Sequence, residues 1–494
     1  MRRMNSLSKA ALWWIGGLLI FTSEVSGQTW LQMTPTGGPP TPRGSFGSAV
    51  FDPATDRMMV FGGGTSSGNT NEVWVLTSAD GLWGTPQWIK LSPAGDPSYG
   101  LPAPRKNHSA VYDPSSNRMI VFDGCSASCG SFLEDVWVLT NADGIGGTPA
   151  WIELFPSGGP PGGRSGQAAV YDPGTNSMII FGGDSSTSGN PPTYSDVWVL
   201  SNANGLGGTP TWTELSPTGG PPAGQAYDGA VYDPINNRMI VFGGYSQASV
   251  YSNATWALSN ANGQGGTPLW TNLTAEGASG SPPATQGSAA VYDVASNRMT
   301  IFGGYDPSGT FYNNVWLLTD ANGLGGTPTW MQLTPTGGPP AARAFFGAVF
   351  NPASARMTIF GGGSPTNNLN DTWVLSNANA VTGPVVGLSA TSLTFPGVPV
   401  GTASAPQTIK LFNPGDAELT IGKIAASSDF GETNTYDATV AAEGACTITI
   451  TFEPPANVFR TGILTITDNA SGSPQTVKLA GAGIGVALAP AGPM

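Results

Sequence analysis

The chain has 494 residues, of which 18 are basic and 31 acidic, with one histidine and three cysteines. Its net negative charge disfavours nucleic-acid backbones and anionic membranes, which are bound through clustered Lys and Arg. Only 10% of the residues are charged, whereas Gly, Pro, Ser, Thr and Asn abound, which predicts an all-β chain rich in tight turns and nearly free of helices.

Residues 1–27 read as a secretory signal: Arg2, Arg3 and Lys9 form the basic start, Ala10 to Phe21 the apolar run, and Val25-Ser26-Gly27 the small-residue cleavage site. The rival is an uncleaved anchor, although the run is short for a bilayer. A secreted, periplasmic or cell-surface location is expected, with no integral membrane contact after signal removal. Without Arg2, Arg3, Lys9 and Glu24 the chain keeps 15 basic and 30 acidic groups, a net −15.

Residues 28–380 carry a repeat of about sixty residues in six copies. Twelve of the 15 tryptophans mark it: Trp30, Trp88, Trp151, Trp212, Trp270 and Trp330 open one strand-like run, and Trp74, Trp137, Trp198, Trp256, Trp316 and Trp373 stand inside another. Trp13, Trp14 and Trp83 are left over. Each unit holds four strand-sized runs, as in Ser109-Ala-Val-Tyr-Asp, Arg118-Met-Ile-Val-Phe, Asp135-Val-Trp-Val-Leu and Trp151-Ile-Glu-Leu. An Asx-Pro turn links the first two runs in five copies (Asp52, Asp113, Asp172, Asp233 and Asn351), while Asp293-Val lacks the proline. Phe-Gly-Gly follows the second run at Phe61, Phe181, Phe242, Phe302 and Phe360, and the second copy has Phe122-Asp123-Gly124 instead.

With its double glycine, third-run aromatic and Trp-opened fourth run, the segment 30–379 resembles the kelch-repeat family. The resemblance implies a six-bladed β-propeller around an axial channel. The sixth copy lacks a Trp-opened run, and Trp30-Leu-Gln-Met begins the mature chain without one to pair with, so an N-terminal strand is expected to close the ring.

Residues 381–386 read as a linker. Residues 387–484 then show alternating runs, including Gln407-Thr-Ile-Lys-Leu-Phe and Cys446-Thr-Ile-Thr-Ile-Thr-Phe, that fit a seven-stranded β-sandwich. Through Phe395-Pro-Gly-Val-Pro-Val-Gly, Phe412-Asn-Pro-Gly and Phe452-Glu-Pro this module resembles the immunoglobulin-like ASH/major-sperm-protein group. Many such modules have a cysteine where Tyr436 stands, so Cys446 is expected to be an unpaired buried thiol; the missing bridge costs about 2–4 kcal/mol. Residues 485–494 are expected to be a disordered tail. Cys125 and Cys129 read as a local disulfide in an oxidising compartment, with a metal pair as the rival that lacks further ligands.

Compared with one another, the copies agree in their Asp-Pro turns and in linkers such as Ser201 to Pro210, and differ between their second and third runs. Those variable loops lie at one end of a propeller, where recognition is expected. Tyr194, Tyr245, Tyr251, Tyr305, Phe311 and Tyr312 there are candidate ligand-binding residues, since aromatic faces with polar tips suit sugar rings and extended peptides. Arg105, Arg164 and Arg343 occupy one equivalent position, replaced by Gly44, Gln225 and Thr285 in the other copies, and with His108 they complete the candidate set. The kelch resemblance also implies ion pairs from these arginines to Asp135, Asp196 and Asp371. An exported, non-enzymatic binding protein for a glycan or protein partner is expected, monomeric and with no cofactor or metal. The alternative is a metal-independent sugar isomerase or hydrolase using Glu134, Asp184, Asp306 or Arg105.

Overall fold

The computed structural model describes residues 27–485 apart from 46–47, 127–128, 130, 186–192, 221, 247–249 and 436–437. The expected signal and tail lie almost wholly outside the described residues. Those described contain no helix and form six four-stranded antiparallel sheets, followed by a sandwich of a four- and a five-stranded sheet.

In each propeller blade the strands are counted outward from the axis. First strands run Ser48–Asp52, Ser109–Asp113, Ala168–Asp172, Gly229–Asp233, Ala289–Asp293 and Gly347–Asn351. Each neighbours the next and the sixth returns to the first, which makes the ring. Second strands such as Arg118–Phe122 are buried along nearly their whole length because neighbouring blades cover both faces, and that explains their continuous Met, Ile, Val and Phe.

Blade six is completed from the N-terminus. Trp30–Met33 pairs antiparallel with Asn368–Leu375, Trp30 facing Leu375 and Met33 facing Thr372. The two tryptophan sets then take different roles. Each fourth-strand indole packs on the Phe of the preceding blade's Phe-Gly-Gly segment, or of Phe-Asp-Gly in blade two. Ring centroids are 4.9 Å apart for Trp151–Phe61, 4.9 Å for Trp212–Phe122, 5.0 Å for Trp270–Phe181 and 4.7 Å for Trp88–Phe360. This one contact, repeated around the ring, is why Trp and Phe recur together.

The face formed by the Asp-Pro turns and linkers is held by a second repeated contact between blades. Asn204 donates to Asp113, Asn262 to Asp172, Asn322 to Asp233 and Asn379 to Asp293, each at 2.7 Å. Thus the linker asparagine of one blade caps the Asp-Pro turn, or Asp293-Val, of the blade before it.

The sandwich has nine strands rather than seven; the additions are the two-residue strands Gly387–Leu388 and Thr439–Val440. Its core includes Phe395, Ile409, Leu411, Ile448, Phe452, Leu464 and Leu479, with Cys446 buried and free. It docks on blades one and six. Trp83 replaces a linker glycine (compare Gly146 and Gly207), and Lys410 Nζ lies 4.1 Å above its ring while Phe412 meets it edge-on. Arg356 of blade six pairs with Glu443 of the sandwich at 2.8 Å.

Candidate functional site

The loop end rests on buried ion pairs. Arg105, fully buried, makes a two-pronged bond to Asp135 at 2.6 and 2.7 Å and also donates to the Asp123 and Ala103 carbonyls. Arg164 with Asp196 and Arg343 with Asp371 repeat this geometry. The second oxygen of each acid accepts from the indole of Trp137, Trp198 or Trp373. These arginines therefore lie beneath the loops and not on their surface. In blade one the position belongs to Arg43, bonded to Glu72 at 3.3 Å and to the Gly62 carbonyl, a correction of the Gly44 alignment by one residue. Blades four and five, with Gln225 and Thr285, lack both the arginine and its acid.

His108 is also buried, its Nε2 2.7 Å from Ser48 Oγ and its ring edge-on to Phe61 of blade one. Burial, then the nearby Arg105 charge, lowers its pKa to about 3, so it stays neutral. Cys125 and Cys129 stand with their sulfurs 1.99 Å apart and their Cα atoms 4.7 Å apart. Asp123, at the broken Phe-Gly-Gly, uses its carboxylate to accept from the backbone of Leu133, Glu134 and Arg164.

Above blades four to six, aromatic side chains close a circuit. Tyr227 stacks on Tyr245 at 5.8 Å, Tyr245 meets Tyr251 at 6.2 Å, Tyr251 meets Tyr305 at 5.9 Å, Tyr305 meets Phe345 at 5.5 Å, and Phe345 returns to Tyr227 at 5.4 Å. Phe311 stacks on the outside of Tyr305 at 5.2 Å. Local pairing sets part of it: Tyr245–Ser246 forms a hairpin with Val250–Tyr251, placing Tyr245 opposite Tyr251. Hydroxyls are held by Asp184 (Tyr245, 2.6 Å), Asn107 (Tyr227, 3.0 Å) and Gln286 (Tyr251, 2.7 Å, and Tyr305). Burial first, and Asp184 second, raises the Tyr245 pKa, so the phenol remains a neutral donor.

Four of the six candidate aromatics thus come together, and two do not. Tyr194 lies over the Arg164 guanidinium at 4.0 Å, and Tyr312 donates to Asp306 at 2.8 Å. Of the four acid/base candidates, Asp184 holds Tyr245, Asp306 caps its own loop through Ser308 and Thr310, Arg105 is held by Asp135, and Glu134 is exposed, its backbone N–H donating to Asp123.

Tyr227 and Phe345 were not singled out by sequence, and they close the circuit. Both precede a first strand, with φ of 58°, where blades three and five have Gly166 and Gly287. The backbone there forms a chain of blade-to-blade bonds: Gly166 N to Asn107 O (2.8 Å), Tyr227 N to Gly166 O (2.7 Å), Gly287 N to Tyr227 O (2.9 Å) and Phe345 N to Gly287 O (2.9 Å). A bulky aromatic in this left-handed region costs about 1 kcal/mol or more that glycine avoids. Comparing the blades at the second residue before strand one would have exposed the pair. Among the described residues no group of three or more His, Cys, Asp or Glu side chains could hold a metal ion, and no helix is long and apolar enough to cross a membrane.

Fold and site together define a closed six-bladed kelch propeller with an aromatic circuit on its loop end and an immunoglobulin-like module behind it. The chain belongs to the KLHDC2/KLHL20/DRC7 Kelch-repeats domain family, whose model matches residues 17–143, 147–277 and 264–386. Residues 384–476 are an ASH domain (Abnormal spindle-like microcephaly-associated, ASPM-SPD-2-Hydin). Host cell factor homolog hcf-1 of Caenorhabditis elegans is 30% identical over 223 residues, covering 42% of this chain and 26% of that protein. Multiple epidermal growth factor-like domains protein 8 of Mus musculus is 29% identical over 311 residues, 60% of this chain and 10% of that one. The chain thus spans about a quarter or less of these relatives. The ASH / PapD-like domain of human CEP192 is similar at 15% identity with a TM-score of 0.18, over 20% of this chain and 86% of that one.

Proposed function

We propose that this is an exported interaction protein whose aromatic circuit on blades four to six holds an extended segment of a protein partner, with the ASH domain as a rigidly docked second module. The observation that carries the reading is the placement of Tyr227 and Phe345 at strained backbone positions that glycine fills in blades three and five. Strain of this kind is retained where the side chain is needed for something other than folding. Partly exposed aromatic faces with fixed hydroxyls offer apolar area and hydrogen-bond specificity together. Membership in a kelch family, together with the similarity to hcf-1, supports protein interaction as the class. Export rests on the basic, apolar and small-residue pattern of residues 1–27.

A glycan is the second reading, favoured by the same pairing of ring faces with hydroxyls. The enzyme alternative has less to draw on, because three of its four candidates, Asp184, Asp306 and Arg105, are each committed to a hydrogen bond within their own surroundings, which leaves Glu134 without a second group to form a pair. The test is retention of residues 28–494 on arrays of extracellular-protein peptides and of polysaccharides, compared with a Tyr245→Ala/Tyr305→Ala variant. Peptide binding lost in a variant that melts normally supports the protein reading; glycan binding lost in the same way supports the second. Binding unchanged by the substitutions contradicts both.

A further inference from the structure

The axial channel contains a cavity of about 180 Å³ lined by one short segment from each first strand. Its walls have two chemistries. Ala49, Ala110, Ala169, Ala230, Ala290 and Ala348, one per blade, make an apolar sleeve. The residue two before each of these alanines is polar in four consecutive blades: His108, Gln167, Asp228 and Ser288.

All four polar residues line the cavity and are at least nine-tenths buried, and all leave polar atoms without a partner: His108 Nδ1, Gln167 Oε1, both Asp228 carboxyl oxygens and Ser288 Oγ. Their other polar atoms are placed. Gln167 Nε2 donates to Ser109 Oγ at 3.0 Å, and His108 Nε2 meets Ser48 Oγ. Buried polar groups are rarely left unpaired, and each costs about 1–3 kcal/mol if it is. Here they come from equivalent positions around one cavity, which packing of any single blade does not explain.

We propose that this cavity is a binding site for a primary alkylammonium ion. The free atoms include three obligate acceptors when Asp228 is ionised and no obligate donor, so the complementary group is rich in N–H. Asp228 is the acid that lines the cavity, and its carboxylate supplies the countercharge. The alanine sleeve takes an alkyl chain, which a bare ammonium ion or a water cluster would not use. Burial raises the Asp228 pKa to about 8, and a cation beside it favours the carboxylate. Neutral His108 offers no repulsion. The amine is either a free small molecule or a lysine side chain of a partner; both present the same chemistry.

The experiment is saturation-transfer NMR on residues 28–494 with n-butylammonium, tetramethylammonium and n-butanol, together with Nα-acetyl-lysine methylamide. Transfer to a primary amine, and not to tetramethylammonium or butanol, is expected. Asp228→Asn should weaken it by about tenfold or more. Binding of butylammonium alone identifies a free amine as the source, and binding of the lysine derivative identifies a side chain. Transfer to neither amine, equal transfer to tetramethylammonium or butanol, or unchanged affinity in a folded Asp228→Asn protein overturns the proposal. The comparison among ligands needs no variant, and no partner enters, so its failure leaves the loop-face reading untouched.

Discussion

The indole of Trp30 lies 4.9 Å from the ring of Phe302, so the first strand of the described chain is packed against blade five while it hydrogen-bonds to the third strand of blade six. The Trp–Phe contact that joins every other pair of neighbouring blades is thereby also present at the seam. Closure is a property of side-chain packing as much as of strand pairing.

Trp30→Ala is therefore expected to cost about 3–5 kcal/mol, the usual range for a buried tryptophan, and to lower the melting temperature of the whole propeller. Deleting residues 28–36 should cost more. Calorimetry on the two proteins checks this, and an unchanged transition would show that the ring does not depend on its seam.

Blade one differs from the rest in a way that pH should reveal. Asp56 stands where the next four blades have Asn117, Asn176, Asn237 and Asn297, and its carboxyl meets Asp80. Burial, then the charge of Asp80, pushes the Asp56 pKa up to about 9. The folded value exceeds the unfolded one near 4, so this contribution to stability is complete at low pH and is lost as pH rises toward 9. Asp56→Asn should raise stability at pH 8 by about 1–3 kcal/mol and flatten the profile between pH 5 and 9. Chemical denaturation across that range measures it.

Ion pairs of like composition should differ in effect. Arg164→Ala leaves Asp196 partly buried without its cation and is expected to cost about 3–5 kcal/mol. Arg460, more than a third exposed and 3.1 Å from Asp429, should cost under about 1 kcal/mol when replaced by Ala. Urea titration of both variants separates the two expectations.

Trp83→Gly restores the residue found at the equivalent linker position of other blades and removes the platform under Lys410 and Phe412. The propeller should melt as before, while amide exchange through residues 381–386 accelerates. Unaltered exchange would mean that Arg356 and Glu443 alone hold the ASH domain in place.

Architecture was legible because its determinants are periodic: the Trp, Phe-Gly-Gly and Asp-Pro marks each perform the same contact in several blades, and the orphaned Trp30 segment revealed the closure. The site was legible only in part. Tyr245, Tyr251, Tyr305 and Phe311 stand in loops that visibly vary, whereas Tyr227 and Phe345 sit in strand lead-ins, where a change of residue leaves the period intact. The blade-one arginine was misaligned because residue 43 precedes a glycine that mimics a substitution. Trp83 broke the repeat openly, but its partners Lys410 and Phe412 lie more than three hundred residues away, and contact at that separation leaves no local pattern.

We propose that the aromatic circuit is the partner-binding face. Photo-crosslinking reads this out, with a benzophenone amino acid placed at Phe311 on the loop face or at Leu324 on the linker face of the full mature chain, in the presence of partners retained on the array. Adducts are expected from position 311, abolished by Tyr245→Ala/Tyr305→Ala, and none from position 324. Adducts from position 324 alone would contradict it.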